Sequence, residues 1–231
     1  MKFQNADIMI ATPCYGGIET DTEMCIDRLY EYSKYGCPSE NGRVPVNNIE
    51  RVFAKATSPA WVRNGIVDQF LTTKYKSLLM IDRDHIFNYT YLQILFEADK
   101  DIIACLGTTK HESLETYGKG IAPYCSQLID GKVVGYSQQE IDELARRNNG
   151  QPFEVAMTGM GMILIKKKVF EAIPRPWFAQ EASNFENNPQ GVGGEDYYFS
   201  KKAAEYGFKT FVHPGCALLH IGKGYYGMGS N

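Results

Sequence analysis

The sequence contains no apolar run near the roughly 18–20 residues that span a bilayer, and its first residues lack the basic stretch and apolar core of a signal peptide. A cytosolic location is the resulting expectation. Its six cysteines, at positions 14, 25, 37, 105, 125 and 216, form no CxxC pair and no zinc-type Cys/His spacing. In a reducing compartment they are expected as thiols filling the core. Positive charge is not in excess either: 24 Lys and Arg face 27 Asp and Glu, giving a net charge of −3 and a pI near 5.9. This excludes the global basic field by which a sequence-independent nucleic-acid binder neutralises phosphates. Nor is the composition that of a disordered chain, with 44% hydrophobic and 22% charged residues in 231. That length suits one domain with a sizeable sheet core.

What is present is an alternation of two periodicities. Residues 7–11 read as a buried strand, and 19–35 place Met24, Leu29 and Tyr32 at approximately helical spacing. A second strand over 49–54, a proline-started helix over 59–72 and a wholly apolar strand over 77–81 follow. This βαβαβ order predicts a Rossmann-like, mostly parallel sheet flanked by helices, whose ligands bind beyond the carboxyl ends of the strands. A helix over 91–98 and a strand over 101–106 continue it. Beyond a polar loop at 107–120, a hairpin around Asp130-Gly131 and a polar helix over 137–147 are expected. The core resumes with a strand at 159–165, then a short helix over 167–172. A mobile loop over 181–194, a helix over 195–206 and a strand at 209–212 complete the pattern. Four glycines in 222–231 predict a flexible tail unless a ligand orders it.

The third strand runs into Asp82-Arg83-Asp84-His85, a polar cluster where the binding crevice should lie. Two carboxylates one residue apart at a strand end can share a magnesium or manganese ion, which prefer oxygen ligands and substrate phosphates. A chain of this length contains an Asp-x-Asp by chance about half the time, so the preceding apolar strand is what gives the pair meaning. Glu195 and Asp196 follow two glycines at the start of a helix, where the macrodipole favours ionised carboxylates. They could act as first-turn capping acids or as a general base. His220, after an apolar run, could be a satisfied core histidine or a metal ligand.

The full order of motifs resembles the small GT-A fold glycosyltransferases of bacteria and phages. It runs from Thr12-Pro13 and Tyr15-Gly16-Gly17 through Arg63-Asn64, Asp82-Arg83-Asp84 and Thr158-Gly159-Met160-Gly161-Met162 to Gly194-Glu195-Asp196 and His220-Ile221-Gly222. The resemblance implies a GT-A type α/β fold with a small antiparallel acceptor-side extension. Residues 1–106 would form the nucleotide-sugar half of one domain and 107–231 the acceptor half. It implies transfer of a hexose from a nucleoside-diphosphate sugar, UDP-linked by preference and GDP-linked second, to an acceptor hydroxyl. Asp82, Asp84 and His220 would hold Mn2+ or Mg2+, with Asp82 nearer the ribose or sugar. Thr12, Pro13 and Tyr15 would line the base pocket. Arg63 and Asn64 would approach the base, ribose or phosphates, with Gly161 and Lys223 also on the donor. Asp196 is the favoured base and Glu195 the orienting acid. Arg83, where the family often has a small or acidic residue, should point away from the cation. For a phage-encoded member the location would be the host cytoplasm.

Two other classes remain open. A nucleotidyltransferase would use similar carboxylates, but it normally carries a basic residue in the loop after the first strand, and here none occurs before Arg28. A protein that binds a nucleotide sugar or carbohydrate without transferring it would share the same fold. The acceptor is expected to be a small molecule or glycan; modified nucleic acid has no support from the charge.

Overall fold

The structure, a computed structural model, describes residues 3, 5–14, 16–36, 47–108, 123–180, 194–222 and 225–226. In chain order its elements begin β1 (Asp7–Cys14), α1 (Thr20–Tyr35), β2 (Asn48–Lys55), α2 (Pro59–Thr72), β3 (Ser77–Ile81), β4 (His85–Ile86), α3 (Tyr91–Glu97) and β5 (Ile102–Leu106). They continue with β6 (Cys125–Ile129), β7 (Lys132–Gly135), α4 (Gln138–Arg147), β8 (Phe153–Val155), β9 (Met157–Thr158), β10 (Met162–Lys166), α5 (Lys167–Ala172), α6 (Glu195–Glu205), β11 (Thr210–Ala217), β12 (Leu219–Ile221) and β13 (Tyr225–Tyr226).

Seven strands form the central sheet in the order β2-β1-β3-β10-β5-β11-β8. β2, β1, β3, β5 and β11 run in one direction, while β10 and β8 run against them. The sheet is therefore mixed and mostly parallel, with helices on both faces. Side chains alternate across it, as the strand period demands. Met9, Ala11, Leu78 and Met80 pack with Val62, Ile66 and Phe70 of α2, Phe170 of α5 and Phe199 of α6. Ile8, Ile10, Leu79 and Ile81 point the other way, to Ile26 and Leu29 of α1 and Leu92 and Leu95 of α3. All five residues of β3 are buried, which explains its unbroken apolar run.

The expected elements of the first half all form, with β1 extending to Cys14. The hairpin turns at Asp130 (φ 50°) and Gly131 (φ 74°), the left-handed pair that a tight hairpin needs. Ser137 and Glu140 form a reciprocal capping box at α4. Three readings change. The strand expected at 159–165 starts at Met162, leaving Gly159 to Gly161 as a non-strand approach to the crevice. A small sheet, β13-β12-β4, was not anticipated. Its strands have two or three residues, too few for periodicity to register. Tyr225–Tyr226 belongs to it, within the stretch expected to be a flexible tail. The loops expected at 107–120 and 181–194 lie mostly outside the described residues. Among the described residues, no helix is long and apolar enough to cross a membrane.

Asn64 ties the second helix to the chain after α5. Its amide donates to the carbonyls of Ala60 and Phe178, both at 2.7 Å, and its oxygen accepts from the N–H groups of Trp177 (3.0 Å) and Phe178 (3.3 Å). Both amide hydrogens and both oxygen lone pairs are thus engaged inside the fold. This corrects the expectation that Asn64 approaches the donor. Asn64→Ala leaves those backbone groups buried without partners, and should lower stability by roughly 2–4 kcal/mol in urea denaturation while divalent-metal binding is retained.

Candidate functional site

Five parallel strands deliver their carboxyl ends to one edge of the sheet, and β10, running the other way, brings its start there. The Asp82 amide donates to the Gly161 carbonyl (2.9 Å), joining the ends of β3 and β10. The chain then turns and returns as β4, which pairs with β12 so that His85 stands opposite His220. The Ile221 amide donates to the Asp84 carbonyl (2.8 Å). Strands of two and three residues therefore bring distant residues together.

The result is a cluster of Asp84, His85 and His220, whose potential ligand atoms all lie within 4.8 Å of one another. The imidazoles stack with centroids 4.2 Å apart and 16° between planes. Asp84 Oδ1 lies 3.2 Å from His85 Nδ1 and 3.6 Å from His220 Nε2. His220 Nδ1 lies 2.9 Å from the Thr108 carbonyl, a partner that can only accept, so the ring proton belongs on Nδ1. The lone pair of Nε2 then faces the Asp84 carboxylate. Two electron-rich atoms at that separation call for a proton or a cation between them. One carboxylate oxygen and two imidazole nitrogens form a donor set that fits a divalent transition metal, and the Thr108 carbonyl supplies the outer support that ligating histidines use. His85 is the member missed in the sequence, where it was noticed only as part of the polar run after β3.

Asp82 does not join this cluster. It lies 2.7 Å from Arg63 Nη2, and Arg63 Nε lies 3.3 Å from Glu195 Oε1. The Arg63 side chain is only 4% exposed. Burial by itself would lower its pKa, but the carboxylates of Asp82 and Glu195 outweigh that and raise it, so the guanidinium stays charged. Among the described residues its Nη1 has no hydrogen-bond partner. Thr12 and Pro13 are buried at the end of β1, and Thr12 Oγ1 also lacks a partner among the described residues. Arg83 donates to the Gly17 carbonyl (2.7 Å), which carries its guanidinium to the segment after β1. Tyr15 and Lys223 lie outside the described residues.

Asp196, beside Glu195 at the start of α6, accepts from the Tyr197 amide (2.8 Å). Burial pushes its pKa up and Glu195 pushes it further, against the opposing pull of that amide, the Tyr124 hydroxyl and Arg63. The helix terminus was expected to keep this carboxyl low, but desolvation prevails. Tyr124, which no sequence signal indicated, has its phenol raised well above the ordinary value by burial and by Asp196.

Two glycines make room for this arrangement. A Cβ on Gly161 would stand 2.7 Å from His85 Nε2 and 2.8 Å from Leu218 Cδ1, and one on Gly159 would overlap the Tyr124 ring. Gly161 therefore acts by admitting His85 rather than by touching a donor.

No protein-family model and no curated protein sequence matches the chain. Among solved structures, A197 from STIV is similar with a TM-score of 0.54 and 17% identity over 97% of this chain and 95% of that one. GalNAc-T7, solved with UDP, GalNAc and Mn2+, is similar with a TM-score of 0.50 and 14% identity. That likeness covers 94% of this chain but 44% of the GalNAc-T7 chain. The fold is thus GT-A-like. At such identities the likeness extends to the fold alone.

Two outcomes follow from the site. Gly161→Ala should weaken Mn2+ binding about tenfold in calorimetric titration by displacing His85, with less effect on melting temperature than on affinity. Asp196, with its folded-state pKa raised, favours folding most below the ordinary aspartate pKa and loses that contribution as pH rises through the folded value. Asp196→Asn should therefore melt higher than the parent at neutral pH, with the difference shrinking toward pH 3–4, roughly the unfolded aspartate value. An unchanged difference across that range would refute the desolvated carboxyl.

Proposed function

We propose that the chain is a metal-dependent glycosyltransferase that moves a hexose from a nucleoside-diphosphate sugar, preferably UDP-linked, to an acceptor hydroxyl. The observation that carries this reading is the Asp84, His85 and His220 cluster together with a desolvated Asp196, whose neighbour Glu195 shares Arg63 with Asp82, at the carboxyl edge of a GT-A-like sheet. That GalNAc-T7 holds UDP, GalNAc and Mn2+ on a similar fold supports it.

Asp84, His85 and His220 hold the cation, which when bound offsets charge on the departing diphosphate. Asp82, fixed by Arg63, faces the ribose or sugar. Arg63 Nη1 and Thr12 Oγ1, without partners among the described residues, offer hydrogen-bonding groups on the donor side. Lys223 adds a phosphate contact. Glu195, held by the same Arg63, orients the acceptor, and Asp196 takes its proton. A raised pKa suits that task, because a base with greater proton affinity drives transfer better once ionised. Mn2+ is preferred over Mg2+, since imidazole nitrogens suit the transition metal better than the harder ion.

The test measures UDP release from UDP-sugars in the presence of candidate acceptors. Chelation should abolish release and Mn2+ should restore it. Asp196→Asn should lower kcat roughly 10²–10⁴-fold with donor affinity little changed. The parent's rate should rise with pH through an acid limb above the ordinary aspartate range. Glu195→Gln should move that limb down, because it removes a charge that raises the Asp196 pKa. Full activity after chelation, or pyrophosphate released instead of UDP, would exclude the proposal.

A further inference from the structure

Strands β5 and β11 bring two cysteines and a histidine together on one face of the sheet, and the transfer reaction uses none of them. Cys105 lies in β5, held between β10 and β11, and stands beside His213 in the parallel register. The register then jumps to Ala217 opposite Leu106, so Pro214, Gly215 and Cys216 form a bulge in β11. Both cysteines are free thiols, 2% and 0% exposed, and their sulfurs are in hydrogen-bond contact. The Gly215 amide donates to His213 Nδ1 (3.1 Å), so a neutral ring carries its proton on Nε2 and can donate it to Cys216, which it also contacts. A thiol and an imidazole thus both support a thiolate at Cys216. Contact with Cys105, then with His213, holds the Cys216 thiol below the ordinary cysteine value against its burial. Burial and the contact with Cys216 push Cys105 above that value. A thiolate touching a protonated thiol is the nucleophile and resolving partner of a dithiol, which core packing alone does not require.

We propose that hydrogen peroxide converts Cys105 and Cys216 into a reversible disulfide, and that this bond displaces His220 and so weakens cation binding. The effect on the cation rests on the reading of Asp84, His85 and His220 as its ligands. The Cys216 thiolate attacks one peroxide oxygen and breaks the O–O bond, giving a sulfenic acid and, after protonation, water. Cys105 then loses its proton and attacks the Cys216 sulfur, expelling hydroxide, so two thiols are oxidised and the peroxide is reduced to two waters. A dithiol reductant reverses the step by exchange. Burial at this depth favours a small oxidant over a bulky disulfide, and the exposed Gly215 marks the bulge as its way in. Forming the bond shortens the sulfur separation to about 2.05 Å. Cys105 is fixed between two strands, so Cys216, in the bulge, takes up the movement. The chain runs from Cys216 through Ala217, Leu218 and Leu219 to His220, and from Cys105 through Leu106 and Gly107 to Thr108. The Thr108 carbonyl is the one that holds His220 Nδ1 at 2.9 Å. The Tyr91 hydroxyl donates to the Ala217 carbonyl (3.2 Å) and the Leu218 amide to the Leu106 carbonyl (2.9 Å). These contacts position the segment leading to His220 and adjoin Cys216, so drawing Cys216 toward Cys105 loosens them.

For the test, the full chain is treated with hydrogen peroxide in EDTA, desalted, and compared with its reduced form. Peptide mapping after thiol blocking should find Cys105 linked to Cys216, and dithiothreitol should remove the link. Cys105→Ser should stop at a sulfenic acid on Cys216 that dimedone traps, and Cys216→Ser should form no link from Cys105. In calorimetric titration the oxidised parent should bind Mn2+ about tenfold more weakly than the reduced parent and regain its affinity on reduction. The Cys105→Ser/Cys216→Ser double variant should bind Mn2+ alike before and after peroxide. No link between Cys105 and Cys216 under excess peroxide, or an oxidised parent with unchanged Mn2+ affinity, overturns the proposal. Imidazole nitrogen NMR of the same samples, with His220 assigned by His220→Gln, separates the two readings. If the reduced parent binds no Mn2+ but the His220 resonances move when the disulfide forms, the cation assignment falls and the disulfide with its effect on His220 stands. If no Mn2+ binds and those resonances stay fixed, both fall.

Discussion

The buried guanidinium of Arg63 constrains the whole site. Apart from Asn64, the inward face of α2 is otherwise apolar, with Val62, Ile66, Val67 and Phe70 packed on the sheet. A charge placed there without partners would cost several kcal/mol. Asp82 from the end of β3 and Glu195 from the start of α6 meet it, so the ion pairs dock that helix terminus onto the strand end. Asp82 is thereby paired with the arginine, and Asp84 with the two histidines is the group that could hold a cation. Asp196 gains its raised pKa in the same arrangement, since docking buries it next to the charge of Glu195.

Tight backbone approach is the second constraint. Met160 and Met162 anchor the segment before β10 in the cores on opposite faces of the sheet. The intervening Gly161 faces His85, and the preceding Gly159 faces Tyr124. One short segment thus joins packing to site geometry: the methionines fix its height over the sheet and the glycines set what can approach. The pattern works only with small residues at both positions, because the contacts are made by rings whose backbones are held by their own ladders.

The sequence made the large elements legible because each carries a repeated signal. Five buried residues in β3, or the capping box of α4, say the same thing several times over. Asp84, His220, Glu195 and Asp196 were legible as chemistry at element ends, and the structure gathers Asp84 with His220 and Glu195 with Arg63. The pairing of β4 with β12 was not legible, since two-residue strands have no period, and the place of His85 beside His220 follows entirely from that pairing. Asn64 was misread for a related reason. A polar residue on a helix next to an arginine looks like a ligand, and only the chain at Trp177 and Phe178 reveals that its amide is consumed. Tyr124 gave no signal, because its setting is made by a glycine remote in sequence.

The composition of the cluster also bears on how a diphosphate could be received. Among the described residues Asp82, Asp84, Glu195 and Asp196 lie at this edge, with Arg63 between Asp82 and Glu195, so on the proposed reading a diphosphate arriving alone would meet a mostly acidic surface. A cation corrects this only if its own ligands leave it a positive remainder. Three carboxylates would more than cancel a divalent charge. One carboxylate and two neutral imidazoles cancel half of it, and the remainder can attract phosphate oxygens. Metal and donor then strengthen one another's binding by the same factor, as linkage requires. On the proposed reading, His85 would add affinity for the metal without taking that remainder away. Replacing it by an acid would tighten the grip on the cation and weaken the cation's grip on the donor.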